Sequence, residues 1–346
     1  MRYSLFEIRS TYDILMTCIN SFDKLSDIEL CDNSIIERKI KICKHLNEFF
    51  PNDIAKLINE YYYLKKIYMP RDNMLSYLFV LPDSDGRIIY GYHTNAINVW
   101  NAQTKQYTIT SMKHGDIISC ICILSDGRLV TGSYDKTIKV WNVNTEKCEM
   151  TLFGHSNRVR CIATLYDDRI VSGSEDETIK IWDVKTKKCN ITNMMSHECN
   201  ISFKAHNFYV ICVAELPDKR IVSGSYDRTI KIWSLRSGSP VCDITLLGHS
   251  SWITCINILH EGPEFRLISG SLDCRLKIWN PYNGKCETTF IGHLCTVTNI
   301  GILSDGKIIS RSYDKTFKIW DRKTQECDTT FDDNCYLPFC LVTSFD

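Results

Sequence analysis

Six tryptophans, Trp100, Trp141, Trp182, Trp233, Trp279 and Trp320, recur at intervals of 41, 41, 51, 46 and 41 residues. Each closes a run of the kind Ile170-Val-Ser-Gly-Ser-Glu-Asp-Glu-Thr-Ile-Lys-Ile-Trp182. A repeat of this size means one supersecondary unit copied in series, in which no unit buries its apolar face alone. The function of such a chain is expected of a surface shared among units and not of a single cleft.

Within one unit, Ile118–Leu124 alternates apolar and polar residues and Ser125-Asp-Gly127 turns. Arg128–Ser133 alternates again, and Thr137–Trp141 and Cys148–Leu152 follow after short polar connections. Four short strands per roughly 40 residues predict a propeller blade and not a helix pair. Lysine plus arginine and aspartate plus glutamate number 41 each, so no whole-chain field draws the protein to nucleic acid or to anionic lipid. The first twenty residues carry Glu7 and Asp13 and lack both a basic leader and an unbroken apolar run, unlike a signal peptide. No later segment is long and apolar enough to span a bilayer. A soluble protein of the cytoplasm or nucleus is expected, with its sequons Asn190-Ile-Thr and Asn200-Ile-Ser unglycosylated.

The 18 cysteines follow the repeat instead of a disulfide framework. Cys148, Cys189, Cys286 and Cys327 each lie seven residues after a period tryptophan, and Cys120, Cys161, Cys212 and Cys255 mark a second slot. Equivalent slots in successive units are expected to lie apart, and Cys-x-x-Cys is missing from the sequence, so these cysteines are read as small buried apolar residues in a reducing compartment. No cofactor or metal is expected. The Gly-Ser-Tyr-Asp-Lys-Thr runs lack Walker spacing and a following helix, and no metalloprotease, hydrolase-elbow or calcium-loop motif occurs.

Five units hold a histidine, a serine or threonine, an aspartate and a tryptophan, with the aspartate six residues before the tryptophan. The sets are His114, Thr131, Asp135, Trp141; His155, Ser172, Asp176, Trp182; His206, Ser223, Asp227, Trp233; His249, Ser269, Asp273, Trp279; and His293, Ser310, Asp314, Trp320. Serine, histidine and aspartate together invite a nucleophilic triad, but an enzyme has no need of five copies around a ring. The pattern of Gly154-His155 followed by Gly173-Ser-Glu-Asp-Glu-Thr-Ile-Lys-Ile-Trp-Asp183 resembles the WD-repeat family, over about residues 76–332. The resemblance implies an all-β propeller of six recognised blades, with each set forming a buried hydrogen-bond chain inside its blade. Indole can only donate and carboxylate only accept, while hydroxyl and imidazole do both, so such a set satisfies itself without water.

The repeats are uneven. Residues 76–110 form a weaker first copy, keeping Asp85-Gly86 and Ala96-Ile-Asn-Val-Trp100 but lacking the histidine and the turn aspartate. Tyr336–Thr343 reads as a lone first strand, which leaves six or seven blades open, the seventh needing strands from the N-terminal region. Unit four is ten residues longer; Cys199–His206 matches Cys242–His249 better than the stretch from Cys189 does, which puts the extra residues before the last strand. His260-Glu-Gly-Pro-Glu264 reads as an enlarged loop between the first two strands of unit five.

Residues 1–33 give no clear element, residues 34–70 read as helical, and 74–346 as the propeller. Ser34-Ile-Ile-Glu37 is a capping-box pattern, Pro51 breaks the first helix, and Ile54, Leu57, Ile58, Tyr61 and Tyr62 stripe the second. Phe50, Pro51, Ile54 and Ile58 resemble the start of an F-box, which implies an adaptor of a cullin-RING ubiquitin ligase as partner. The same helices also suit the end of a BTB-type module, or a cap packed on the ring. In WD-repeat proteins partners bind the face where the histidine loops meet the turn aspartates. By that register the exposed positions are Ile117, Tyr134, Arg158, Arg160, Glu175, Tyr209, Tyr226, Trp252, Leu272 and Tyr313. Tyrosine, tryptophan and arginine dominate binding hot spots, and Arg158 with Arg160 suits a carboxylate or phosphate. The expectation is a non-catalytic scaffold for a peptide or protein; the alternative is a substrate receptor of a ubiquitin ligase.

Overall fold

Alternation in each unit becomes one antiparallel four-stranded meander. The structure, a computed structural model, describes residues 75–80, 87–92, 95–101, 106–185, 199–236, 239–262, 264–303 and 306–332. The expected helices of 34–70, the F-box-like stretch and the strand at 336–343 lie outside these residues. The first sheet holds β1 (Leu75–Val80), β2 (Arg87–Tyr92), β3 (Ala96–Asn101) and β4 (Gln106–Lys113), and the second β5 (Ile118–Ile123), β6 (Leu129–Ser133), β7 (Ile138–Asn142) and β8 (Lys147–Leu152). The third holds β9 (Val159–Thr164), β10 (Ile170–Ser174), β11 (Thr178–Trp182) and β12 (Ile201–Lys204), and the fourth β13 (Val210–Glu215), β14 (Ile221–Ser225), β15 (Ile230–Arg236) and β16 (Ser239–Leu246). The fifth holds β17 (Ile253–Glu261), β18 (Glu264–Ser271), β19 (Arg275–Trp279) and β20 (Cys286–Ile291), and the sixth β21 (Val297–Ile302), β22 (Ile308–Ser312), β23 (Thr316–Trp320) and β24 (Cys327–Asp332).

The first strands of successive sheets pack on one another, β1 on β5, β5 on β9, β9 on β13, β13 on β17 and β17 on β21. Six propeller blades are therefore present among the described residues, with first strands inward and fourth strands outward. Blades two to five are covered on both faces, and for that reason β6, β10 and β14 are buried along their whole length. Val171, Ile179 and Ile181 of blade three meet Trp233, Ile221 and Val210 of blade four. On the other face of blade three, Ile170 and Trp182 meet Val130 and Val140 of blade two. The period tryptophan is thus the plug between one blade and its predecessor. Its large apolar area is removed from water at every joint where its side chain is described.

The joint also needs a gap. A Cβ built on Gly173 would lie 2.5 Å from Val210 Cγ1 of the next blade and 2.7 Å from Cys161 Sγ. Gly132, Gly224 and Gly270 hold the same register and meet the same kind of neighbours. In blade six that register is Arg311, opposite Phe317, with its guanidinium carbon 5.9 Å from the Phe317 ring centroid. Its blade therefore presents a different following face from its siblings.

Two irregular units resolve differently. Residues 260–264 do not form an enlarged loop: β17 and β18 stay paired as far as Glu261 opposite Glu264, so the extra residues lengthen the hairpin. Edge-to-edge pairing satisfies their backbone groups where a loop would leave them to water. In unit four β12 pairs Ile201 with Ile181, and Cys199 precedes it. The connection 186–198 lies outside the described residues.

Gly173→Ala should lower stability by about 1 to 3 kcal/mol, the usual effect of overpacking. Urea denaturation checks this, and an unchanged midpoint would mean that blades three and four separate readily.

Candidate protein-interaction face

Each of blades two to six contains one polar relay. In blade three Trp182 Nε1 donates to Ser172 Oγ at 2.8 Å, Ser172 Oγ lies 2.8 Å from His155 Nε2, and His155 Nδ1 lies 2.7 Å from Asp176 Oδ2. The other four sets repeat this within 0.2 Å: Trp141, Thr131, His114 and Asp135; Trp233, Ser223, His206 and Asp227; Trp279, Ser269, His249 and Asp273; Trp320, Ser310, His293 and Asp314. Because the indole can only donate, the hydroxyl must give its proton to Nε2, which leaves Nδ1–H to the carboxylate. The relay joins strand two, strand three, the turn between them and the loop arriving from the preceding blade.

A fifth member was not anticipated. Thr137, Thr178, Thr229 and Thr316 each donate Oγ1–H to the second oxygen of the turn aspartate at 2.6 Å. The signal was in the sequence, a threonine two residues after the aspartate in four units. Blade five has Arg275 there, so Asp273 Oδ1 receives a backbone N–H without the hydroxyl. The residues between, Lys136, Glu177, Arg228, Cys274 and Lys315, all have positive φ, from 64° to 72°. The turn hydrogen bonds hold side chains other than glycine in this left-handed conformation.

Burial lowers the imidazoles of His114, His155, His206 and His293, against the upward pull of the facing aspartate. Burial alone would raise the carboxyls of Asp135, Asp176 and Asp227, but donors from histidine, threonine and backbone outweigh it and hold them well below the usual carboxylate range. Near neutrality the relay therefore holds a neutral ring beside a charged carboxylate.

The histidine loop and the aspartate turn of each blade touch through backbone bonds. Tyr134 N–H donates to Ile117 O, Glu175 to Arg158, Tyr226 to Tyr209, Leu272 to Trp252 and Tyr313 to Thr296. In blades two to five the face residues expected from the register thus come together as pairs, whereas Tyr313 of blade six meets Thr296, which was not expected, and Glu175 is buried where exposure was expected. Across blades, Tyr226 stacks on Trp252 with centroids 4.2 Å apart and planes at 14°. Phe208, missed in the sequence because it lies two after the histidine and not three, stacks on Tyr209 at 4.5 Å. Trp252, Leu272, Phe208 and Tyr313 remain exposed although apolar or aromatic. Arg158 and Arg160 both lie over the Tyr134 ring, at 4.7 and 5.0 Å. They are not equivalent. Arg160 donates to Tyr134 Oη and has Nε 2.9 Å from Glu175 Oε1, a buried acid that needs this charge. The expected two-arginine clamp is thereby reduced to Arg158, which is exposed.

The cysteines divide. Cys161 is buried and Cys120, Cys212 and Cys255 partly so; burial raises the thiols of Cys161 and Cys212 well above their ordinary value and that of Cys255 to about 12. Successive members of this slot are not apart but close enough to affect one another's ionisation, Cys161 with Cys120 and Cys212, and Cys212 with Cys255. Cys148, Cys286 and Cys327 are exposed, contrary to the expectation of burial, because they lie on outermost strands that no blade covers; Cys189 lies outside the described residues. No cluster of three or more metal-ligating side chains occurs among the described residues. At the opposite end of the blades, a cleft lined by Tyr166, Asp167, Arg169, Glu215 and Arg220 has its arginines already paired, Arg169 with Asp167 at 2.8 Å and Arg220 with Asp218 at 2.7 Å.

A propeller whose polar groups are spent on internal relays, with variable aromatic and charged residues on one rim, is an interaction module of the repeat type. The family model described as WD domain, G-beta repeat matches residues 105–142, 146–183, 197–234, 240–280 and 284–321, more than half of the chain. The chain belongs to the WD-repeat family. It is 38% identical over 66 residues to coatomer subunit beta' of Rattus norvegicus, and 39% identical over 66 residues to coatomer subunit beta'-2 of Oryza sativa subsp. japonica. These stretches cover 18% of the chain but only 7% of the length of those relatives. The crystal structure of the WD40 beta propeller domain of Doa1 superposes with a TM-score of 0.62 at 21% identity, covering 76% of this chain and 84% of that one.

Asp176→Ala should cost about 1 to 3 kcal/mol by leaving the His155 ring without its acceptor; calorimetry would show an unchanged Tm if the relay were idle. Acid should destabilise the fold in two stages. The lowered imidazoles contribute in full above about pH 6.5 and lose that contribution as pH falls through their folded values. The lowered carboxylates contribute in full above about pH 3.9 and lose that contribution further down. A Tm that rose between pH 7 and pH 4 would contradict the first stage, and one that rose on further acidification would contradict the second.

Proposed function

We propose that this chain is a non-catalytic scaffold that binds a peptide or protein partner across the rim formed by Tyr134, Arg158, Tyr209, Tyr226, Trp252, Leu272 and Tyr313. The observation that carries this is the ring stack of Tyr226 on Trp252, which bridges two blades while leaving Trp252 40% exposed. A monomeric surface gains nothing from exposing such area, whereas a partner that covers it gains a hot spot with little side-chain entropy to lose. The likeness to coatomer subunits is confined to two repeats' length and supports shared repeat architecture alone. Free thiols, several of them exposed, suit a reducing compartment such as the cytoplasm. The narrower role, a substrate receptor of a cullin-RING ubiquitin ligase, rests on Phe50, Pro51, Ile54 and Ile58 and draws no support from the propeller.

The full chain, immobilised and exposed to cell extract, should retain a stoichiometric partner. Replacing Arg158 and Trp252 together by alanine should abolish that capture with the melting profile intact, and undiminished capture would place the binding surface elsewhere. Arg160 is the wrong target, since its loss strands the buried Glu175.

A further inference from the structure

The same rim specifies what kind of segment it takes. Its acids are engaged. Glu175 faces Arg160, Glu177 lies 2.9 Å from Lys204 Nζ, and Asp116 accepts the Ile117 N–H. The five relay aspartates are enclosed by histidine and backbone donors. Five of its cations are not engaged. Lys136, Arg158, Arg228, Arg275 and Lys315 are exposed, and none has a carboxylate partner among the described residues. Lys136, Arg228 and Lys315 occupy left-handed turn positions directly after a relay aspartate, so the fold itself sets them around the rim. The relay carboxylates keep their charge beside neutral rings, so the rim offers a ligand no net positive field but individual cations with free donors, of which Arg158 is held against Tyr134. On the same rim lies the apolar shelf of Phe208, Tyr226 and Trp252.

We infer that the partner, resting on the interaction role proposed above, is a linear acidic segment that presents a carboxylate to Arg158 and an apolar side chain to the Tyr226 and Trp252 shelf. Arg158 suits a carboxylate because its planar donors are unspent and its face is already stacked on Tyr134, which fixes the fork before binding. Charge complementarity of this kind selects partner and orientation more than it adds affinity. Single-stranded nucleic acid is the lesser fit. The rings of Tyr226 and Trp252 are closed on each other at 4.2 Å, leaving no slot for a base, and the cations sit in separate turns without a continuous track.

A positional-scanning dodecapeptide library applied to the intact full-length chain tests this. Aspartate and glutamate should be enriched about tenfold over lysine and arginine at one position, with leucine, phenylalanine or tryptophan selected nearby. Arg158→Glu should erase or invert the acidic preference, and Trp252→Ala should erase the apolar one, both with unchanged circular dichroism melts. A basic preference, no preference, or an acidic preference that survives Arg158→Glu overturns the inference, as does tighter binding of labelled oligouridylate than of the acidic pool. Loss of all peptide capture in Trp252→Ala with the Arg158→Glu profile unaltered would overturn the acidic partner while keeping the binding face. Capture untouched by either replacement would remove the face as well.

Discussion

The hydrogen-bond relay from indole to hydroxyl to imidazole to carboxylate holds the rest of the architecture in place. Its histidine arrives from the loop that leaves the outermost strand of one blade, and its other members belong to the second and third strands of the next and the turn between them. One buried chain therefore fixes the crossing between blades, the strand-two to strand-three turn and the seat of the tryptophan plug together. Each member is satisfied only if the others are present, and partial assembly leaves a buried polar group stranded. This makes each of blades two to six an all-or-none unit, although the relay itself faces no ligand.

Rigid turns are the immediate product. Because the aspartate is gripped from both oxygens, the residues on either side of it are held in fixed positions whatever their identity. Tyr134, Glu175, Tyr226, Leu272 and Tyr313 differ in chemistry yet occupy the same backbone site, each bonded to the facing loop. A frame that constrains main chain and tolerates side-chain variety is what a recognition surface requires. Blade five, with Arg275 in place of the threonine, shows that one grip can be given up where a cation is displayed instead.

What repeats was legible in the sequence, and what depends on neighbours from other units was not. The strands and the blade boundaries followed from period and alternation, and the five relays from the resemblance to the WD-repeat family, with which the residue types agree. The recurring glycine at 132, 173, 224 and 270 was visible, but its reason lies in the valine or isoleucine of the next blade, which no single unit reveals. Likewise Arg158 and Arg160 look interchangeable on paper; only the buried Glu175 beside one of them separates the committed charge from the available one. The exposed cysteines of the outer strands escaped for the same cause, since period says which residues are equivalent but not which side of the disc they face. The hairpin of 253–271 was misjudged because a proline and a glycine mark a turn without saying how far pairing climbs toward it.

Arg311 carries a consequence for assembly. Four internal blades end in a hydrogen atom at this register, a blank that any sibling's inner strand fits, including one from another molecule. Modular chains with identical joints are open to trading modules and growing head to tail. A long cation at the sixth position makes the last joint unlike the rest, so a foreign copy of an internal module meets bulk and charge where it needs a void. Asymmetry at one residue thus gives the sixth blade a following face unlike those of a structure whose other joints are nearly interchangeable.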